Sequence, residues 1–566
     1  MKKIGNVFIL FILIFFTWYL LSPYLSKDTI PGWGIDPYFC VYVIKQVMEK
    51  FAFGIFPHQS TFWDIPMFFP SKHTLAFSDP FILQGILVYI FHKILSVDFF
   101  LSVNLAFAGF FLLNWMFCFL FYNVYVRSIF VSIVASWLWT FSLYFLAQSA
   151  HFQNTAAVGI VMTLYFSTKV NKKINVYTFL WIPISFLVLA TSNLYNFVFT
   201  VYIIPPFWLF EIHRRFKNQS QKIKLVIIRN YLFSIIISIV LTLPIFYRYY
   251  ETRKMYSEFS MQRNFFEQVY SSSRLIDYFT NFSLPPFYQN WLPLPTHFER
   301  NAFPGLFSFL FFVSSVLIFL YFWKYKKDLK YYSRQHINGM ILTFLLFCLG
   351  VFLASGALLF PDLFQLVTHF VPGLSGLRAI GRAGMIVVLA ECLGMGILLS
   401  LLSKQKKFTL LLLLCFMVGL QIFERLVPHF RHSQVNVTKS KIYNSRITNY
   451  LKQKSPESFG VLELSPDKEE QIKFSLERSL YHNHPILVGY SGFYPFSHEK
   501  LPKTYEFLQK CDSNNSEFQI FFKNTKYIII HKNIQELPVN IISCLGNLGF
   551  YRLLTDSEEV LFTAKK

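Results

Sequence analysis

Repeated apolar runs constrain this chain more than any other feature. They fall at 6–23, about 80–96, 99–122, 127–147, 154–168, 176–191, 194–212, 226–246, 303–323, 337–358, 383–402 and 407–423. A helix needs roughly 17–25 predominantly apolar residues to cross the hydrocarbon core of a bilayer, and most of these runs approach that length. Only helices and closed barrels satisfy every backbone polar group within the bilayer. Barrel strands alternate apolar and polar residues, whereas these runs are continuous. The expected fold is therefore mostly α: a polytopic transmembrane helix bundle of about 11–13 spans. Composition agrees, with 54% hydrophobic and only 14% charged residues and a mean hydropathy of +0.43. Soluble domains are far more polar.

A formal net charge of +22 invites a nucleic-acid reading, but its placement argues against one. Most Lys and Arg lie in short loops between apolar runs, as the positive-inside rule expects. Clusters occur at Lys169 to Lys173, at His213 to Lys224 with Arg214 and Arg215, at Lys324 to Lys330 and at Lys404 to Lys407. If all twelve runs cross, the first two clusters fall outside. If 80–96, which is short and carries His92 and Lys93, does not fully cross, all four fall inside. Eleven full spans plus a re-entrant or interfacial helix at 80–96 is the preferred reading, with thirteen spans if a long segment is broken. Lys2 and Lys3 place the N-terminus in the cytoplasm, before an uncleaved signal anchor. The segments 24–98, 148–153, 247–302, 359–382 and 424–566 then share the external side. The Phe- and Lys-rich bias points to the inner (cytoplasmic) membrane of a bacterium.

Residues 1–430 read as the transmembrane domain, with 24–77 as a first external loop, rich in aromatics that suit interfacial helices, and 247–302 as a second large one. From about 431 the chain becomes more polar. Strand-like runs appear at Phe459 to Leu464, Ile486 to Tyr490 and Lys526 to His531, with helix-like stretches at Lys468 to Tyr481 and Lys500 to Cys511. Residues 431–566 are therefore expected to form a small extracytoplasmic α/β domain. Cys40, Cys118, Cys348, Cys392 and Cys415 lie in or beside apolar runs and suit packing. Cys511 and Cys544 can pair if the tail faces an oxidising compartment.

Few polar residues stand where chemistry is feasible. Asp36, in Gly32-Trp33-Gly34-Ile35-Asp36-Pro37-Tyr38, sits where the chain leaves the first span. It is either a general base or a loop acid that turns the chain before Pro37. Asp79 precedes Pro80, where it suits an N-cap of the next helix as well as catalysis. His151 and Asn154 mark one external turn, and Asn193 and Asn196 bracket Tyr195 at the next; either asparagine turn also suits simple capping. Arg378 and Arg382 are four apart at the entrance to a span, a spacing that shares a helical face. Cations oppose the dipole at a helix start, so an anionic ligand such as phosphate is the better reading than snorkelling. Arg274 lies in a Ser-rich stretch of the second loop, which either closes as a lid or packs. Glu391, inside a span, is expected to pair with a basic group. The sequence contains no phosphate-binding loop, dinucleotide fingerprint or metalloprotease motif.

Taken in order, Trp33 to Tyr38, Leu75 to Pro80, His151 to Asn154, Ser273 to Tyr278, Leu377 to Arg382, and the tail's Leu462 to Leu464, Gly489 to Pro495 and Lys526 to Ile530 resemble the GT-C superfamily of membrane glycosyltransferases. The resemblance covers nearly the whole chain. It implies a polyprenyl-phosphate sugar donor, a glycan, lipid or protein acceptor, and displacement with inversion. It makes Asp36 the base, Asp79 the second acid, Arg378 and Arg382 the donor-phosphate contacts, and His151, Asn154 and Arg274 substrate contacts. The first loop carries one Asp before Pro37 rather than the paired acids of several such families, which leaves a divalent metal only weakly supported and a divergent member open. A lipid-linked glycan transporter or flippase and a cell-envelope scaffold are the rival readings.

Overall fold

The computed structural model describes residues 2–565 except 172, 174, 218, 257–262, 280–297, 301–302, 326–333, 371–372, 406–433 save 416, 419, 423 and 424, and 456–458, 494, 496–497, 499–500, 512–515 and 533–535. The run 407–423, Cys415, the aromatic stretch to Trp291 and Pro295, and most of the Lys324 to Lys330 cluster lie outside the described residues. The chain divides into two compact units. One comprises Met1–Leu25, Phe107–Leu243 and Met261–Ser433; the other comprises Ser26–Ala106, Pro244–Ser260 and Gln434–Lys566.

Among the described residues, seven helical stretches are long and apolar enough to cross a membrane: Val7–Tyr24, Phe99–Val126, Ile129–Ala150, Leu194–Phe216, Gln221–Met255, His336–Leu359 and Ile380–Leu401. The chain is a multi-pass helical membrane protein. Run 303–323 forms the helix Leu306–Tyr325, and other runs fold shorter. Run 80–96 becomes the apolar helix Ile82–Ile94, which at about 1.5 Å per residue reaches roughly 20 Å of a core about 30 Å thick. Run 154–168 is divided into Phe152–Thr155 and Val158–Ser167. Asn193 sets one boundary: its extended backbone ends the helix Ile182–Ser192, and its side chain accepts from the Asn196 N–H at 3.0 Å to open Leu194–Phe216. That is N-capping by an asparagine with non-helical dihedrals.

Within the first unit, the helix Gly384–Gln405 is the most enclosed. Of the span candidate Ile380–Leu401, 94% of the apolar window is buried. Glu391 on this helix is fully buried, yet neither carboxyl oxygen finds a hydrogen-bond partner among the described residues. Among the described residues the expected ion pair is not formed. Cys40, Cys118 and Cys392 are buried as packing residues, whereas Cys348 is exposed on its helix.

The second unit is organised on two sheets. Strands β1 (Thr29–Pro31) and β2 (Gln434–Asn436) form an antiparallel pair. Strands β3 (Gly460–Leu464), β4 (Thr525–Ile530), β5 (Phe550–Thr555) and β6 (Val560–Ala564) form one sheet in the order β3-β4-β6-β5, parallel only between β3 and β4. The run Ile486 to Tyr490 is not a strand. Ile486 makes only single bridges, to Met67 and to Val461, so its pairing capacity is divided between two segments. The hairpin β5–β6 has no counterpart in the expected strands. Its first strand is mostly exposed, and mixed burial hides the two-residue period on which such reading depends. Helices Lys468–Ser479 and Thr504–Lys510 fall where expected, and Cys511 is joined to Cys544.

The segment 24–77 is not a surface layer. It contains the helix Asp36–Ala52, in which Pro37 through Met48 are all buried. Lys45 on this helix gives its ammonium to the carbonyls of Ser479, Leu480 and His482 and to Asn483 Oδ1, at 3.1–3.3 Å. Those carbonyls belong to the C-terminal end of Lys468–Ser479, where a helix dipole favours a cation. Burial lowers the Lys45 pKa, so these four acceptors are what keep the ammonium tolerable there.

Candidate functional site

Two groups of sequence-selected residues fall in different units. Asp36 and Asp79 belong to the second; His151, Asn154, Arg274, Arg378 and Arg382 belong to the first.

In the second unit, Gly32 and Gly34 have φ of 103° and 76°. This left-handed region is disfavoured for residues with a Cβ, and the two glycines turn the chain from β1 into the next helix. Asp36 is the first residue of that helix and Pro37 the second, and the carboxylate is half-buried. Both turn and helix start therefore depend on this stretch, and the acid stands at the positive end of a helix dipole. Asp79 is buried and is not the N-cap residue of the next helix. The helix Ile82–Tyr89 takes Phe81, at φ 49°, as its N-cap residue, and Pro80 lies outside the helix. The capping expectation fails because the chain turns once more after Pro80. Tyr249 donates its hydroxyl to the Ser78 carbonyl at 2.6 Å, fixing the residue before Asp79.

In the first unit the site is assembled around a residue the sequence reading did not select, Glu299. It lies in the short 3-10 turn Phe298–Arg300 and is the only acidic residue between Asp277 and Asp328, which was its one visible signal. Its Oε1 accepts from Arg382 Nη2 at 2.7 Å. The same oxygen lies 3.6 Å from Arg378 Nη2 and 3.8 Å from His151 Nε2. The Glu299 and Arg382 side chains are 2% and 5% exposed, whereas that of Arg378 is 49% exposed. Burial by itself raises the Glu299 carboxyl; the charge of Arg382, the His151 hydrogen bond and Arg378 together hold it well below the usual carboxylate range.

The arginines do not share a helical face. Arg378 lies before the 3-10 turn Ile380–Ala383, and the regular helix begins only at Gly384. They converge because the turn folds both back onto one carboxylate. Gly381 permits this: a Cβ there would lie 2.5 Å from the Ser271 carbonyl oxygen and 2.8 Å from that of Glu299. The Arg382 guanidinium also stacks over Tyr195, 4.7 Å from the ring centre, a favourable cation–π arrangement. Its carbonyl accepts from the Tyr144 hydroxyl at 2.8 Å. Snorkelling therefore does not describe Arg382.

Part of the second large loop straps this turn down. Gln268 Nε2 donates to the Leu374 and Leu377 carbonyls at 2.9 and 3.0 Å, and Ser271 Oγ donates to the Arg378 carbonyl. Arg263 N–H donates to the Ser375 carbonyl at 2.9 Å. At Gln268 and Ser271 to Ser273 the loop is buried against this turn, whereas Phe266, Tyr270 and Leu275 are exposed. Arg274 is exposed, and its backbone N–H is bonded to Asp277 Oδ2 at 2.7 Å.

Asn154 does not cap a helix. It is fully buried, donates to Gln148 Oε1 at 2.9 Å and accepts from Asn193 Nδ2 at 3.0 Å. This amide ladder fixes the turn that carries His151. Among the described residues no three His, Cys, Asp or Glu side chains are grouped to hold a metal ion.

Together these features define a class: a multi-pass membrane protein in which a buried Glu–Arg pair supports a half-exposed arginine. No family model matches the chain, and no curated protein matches it. Among solved structures it is similar to ArnT from Cupriavidus metallidurans in the apo state, at 11% identity and a TM-score of 0.40 over 98% of this chain and 97% of that one. A likeness of that degree bears on neither activity nor substrate.

Proposed function

We propose that the chain is a membrane glycosyltransferase that moves a sugar from a polyprenyl-phosphate donor to an extracytoplasmic acceptor, with inversion. The observation that carries this reading is the asymmetry at Glu299. Arg382, Arg378 and His151 gather on one buried carboxylate, and the half-exposed guanidinium of Arg378 is the outward part of the group. A planar fork of this kind suits a phosphate. Arg382 acts as the buried support that keeps the turn in place.

In the proposed reaction the acceptor oxygen attacks the anomeric carbon while the bond from that carbon to the phosphate oxygen breaks. The electron pair leaves with the polyprenyl phosphate, whose developing charge Arg378 stabilises. The acceptor proton passes to Asp36. Asp79 is the second acid, while His151, Asn154 and Arg274 serve substrate binding, the first two through the Glu299 and amide networks. A lipid-borne donor accounts for the lack of any nucleotide-binding motif.

Sugar transfer from a polyprenyl-phosphate sugar panel, by purified wild type and Asp36→Asn in one detergent, tests the reading. Transfer that drops about 10²-fold or more in a folded Asp36→Asn is expected for loss of a general base. Equal rates would remove Asp36 from the chemistry. No transfer by wild type across the panel would favour the transport or scaffold readings.

A further inference from the structure

The helix Pro361–Phe370 lies in the first unit, between a span candidate and the arginine turn. Its local construction is regular. Pro361 begins it, where a missing N–H is harmless. Asp362 lies in the first turn and His369 in the last, each matching the dipole. A single ring pins it: Phe364 is the helix's only buried residue. Gly356, on the preceding helix, makes room for that ring, since a Cβ there would approach it to 2.6 Å.

The remaining apolar residues face outward. Phe360, Leu363, Leu366 and Phe370 are 52%, 52%, 55% and 74% exposed. At about 100° per residue these four fall within an arc of roughly 120°. Asp362, Gln365, Thr368 and His369 occupy the opposite arc. The helix thus has an apolar face, a polar face and a narrow docking ridge between them.

We propose that this helix lies in the membrane interface, with the Phe360–Leu363–Leu366–Phe370 stripe in the hydrocarbon boundary of the bilayer. Three observations select lipid as the occupant. The preceding helix His336–Leu359 is itself apolar enough to span, with a hydropathy of 2.4. That helix has exposed apolar residues of its own, Ile341, Phe344 and Leu358, and no charged residue stands between Leu358 and Pro361. The stripe carries no charge, while the opposite arc is polar, as an in-plane helix requires. Seated there, the helix sets the depth of the turn that follows and so holds Arg378 near the headgroup phosphates. That last clause rests on the transferase reading; the membrane seat does not.

Tryptophan quenching in liposomes of the full chain tests the seat without any sugar donor. Leu366→Trp adds a fluorophore to the stripe, and Gln365→Trp adds one to the polar face; wild-type emission is subtracted from each. Both variants must elute and melt as wild type does. Phosphatidylcholine brominated near the headgroup end of its chains is expected to remove about half or more of the emission added at 366, with iodide removing little. Gln365→Trp should show the reverse. Quenching at 366 by iodide and not by bromolipid would overturn the proposal, as would quenching by neither, which would mean a protein covers the face. The depth clause is read separately: Leu363→Glu with Leu366→Glu should raise KM for the lipid donor about fivefold with kcat retained. An unchanged KM overturns that clause alone.

Discussion

Two buried ionic clusters, one in each unit, share their ingredients and differ in how far they are enclosed. In the tail, Arg478 bonds Glu463 at 3.1 Å and Glu559 at 2.6 Å, and His531 reaches the same two carboxylates at 2.6 and 3.3 Å. All four side chains are at most 9% exposed. Two acids meet one arginine and one histidine, all enclosed. In the helical unit a single carboxylate, Glu299, meets Arg382, Arg378 and His151, and Arg378 is half exposed. An enclosed cluster serves folding. One with a half-exposed arginine is where a ligand of the opposite sign gains most.

The largest expected effect is in the tail. Arg478→Met leaves two buried carboxylates without their shared cation, which should lower unfolding stability by about 3–5 kcal/mol. Chemical denaturation of the full chain in detergent, followed by tail-specific proteolysis, reads this. Next is Arg378→Ala, which should reduce sugar transfer by about 10²–10³-fold, as for loss of one group that stabilises developing charge. Its denaturation midpoint should stay near wild type, because the side chain is half in solvent. If Arg378→Ala destabilises the fold as much as Arg478→Met does, the contrast between the clusters collapses.

The smallest effect concerns pH. Burial alone would lower the His531 pKa, but its bonds to Glu463 and Glu559 raise it. A raised folded value means the His531 contribution is complete below about pH 6.5 and fades as pH rises through the folded pKa. Burial alone would raise Glu559, yet His531 and Arg478 hold it at about 2. Its contribution is complete above about pH 4.3 and is lost as pH falls from there through the folded value of about 2. Tail stability should therefore be highest between these limits and decline on the alkaline side, and His531→Gln should flatten that decline. A tail whose denaturation midpoint is unchanged from pH 6 to 9 in wild type would show that His531 is not charged in the fold.

Much of the architecture was legible because the physics that fixes it is local. Apolar runs declare helices whatever their neighbours are, and Pro37 and the flanking glycines mark a turn and helix start around Asp36. The tail strands Gly460–Leu464 and Thr525–Ile530 read correctly because both are largely buried on the two faces of a short apolar run. Ile486 to Tyr490 has the same composition but was misread, since strand pairing depends on what lies alongside. Glu299 was not selected because it is one acid in a long loop and its partners are remote in sequence. Lys45 was hidden in the same way, its acceptors lying more than 430 positions away.

The sequence by itself determined the class of this protein: a multi-pass helical chain with a polar tail, and a short roster of polar residues beside its spans. Hydrophobic burial is additive along the chain, so composition and run length suffice for that. Only the tertiary structure decided which charges meet. It placed Arg382 inside and Arg378 at the surface, although they are four residues apart in one segment, and it supplied Glu299 between them. Electrostatic energy depends on separation and burial in space rather than on spacing along the chain, so the carboxylate that the two arginines share cannot be read before the chain is folded.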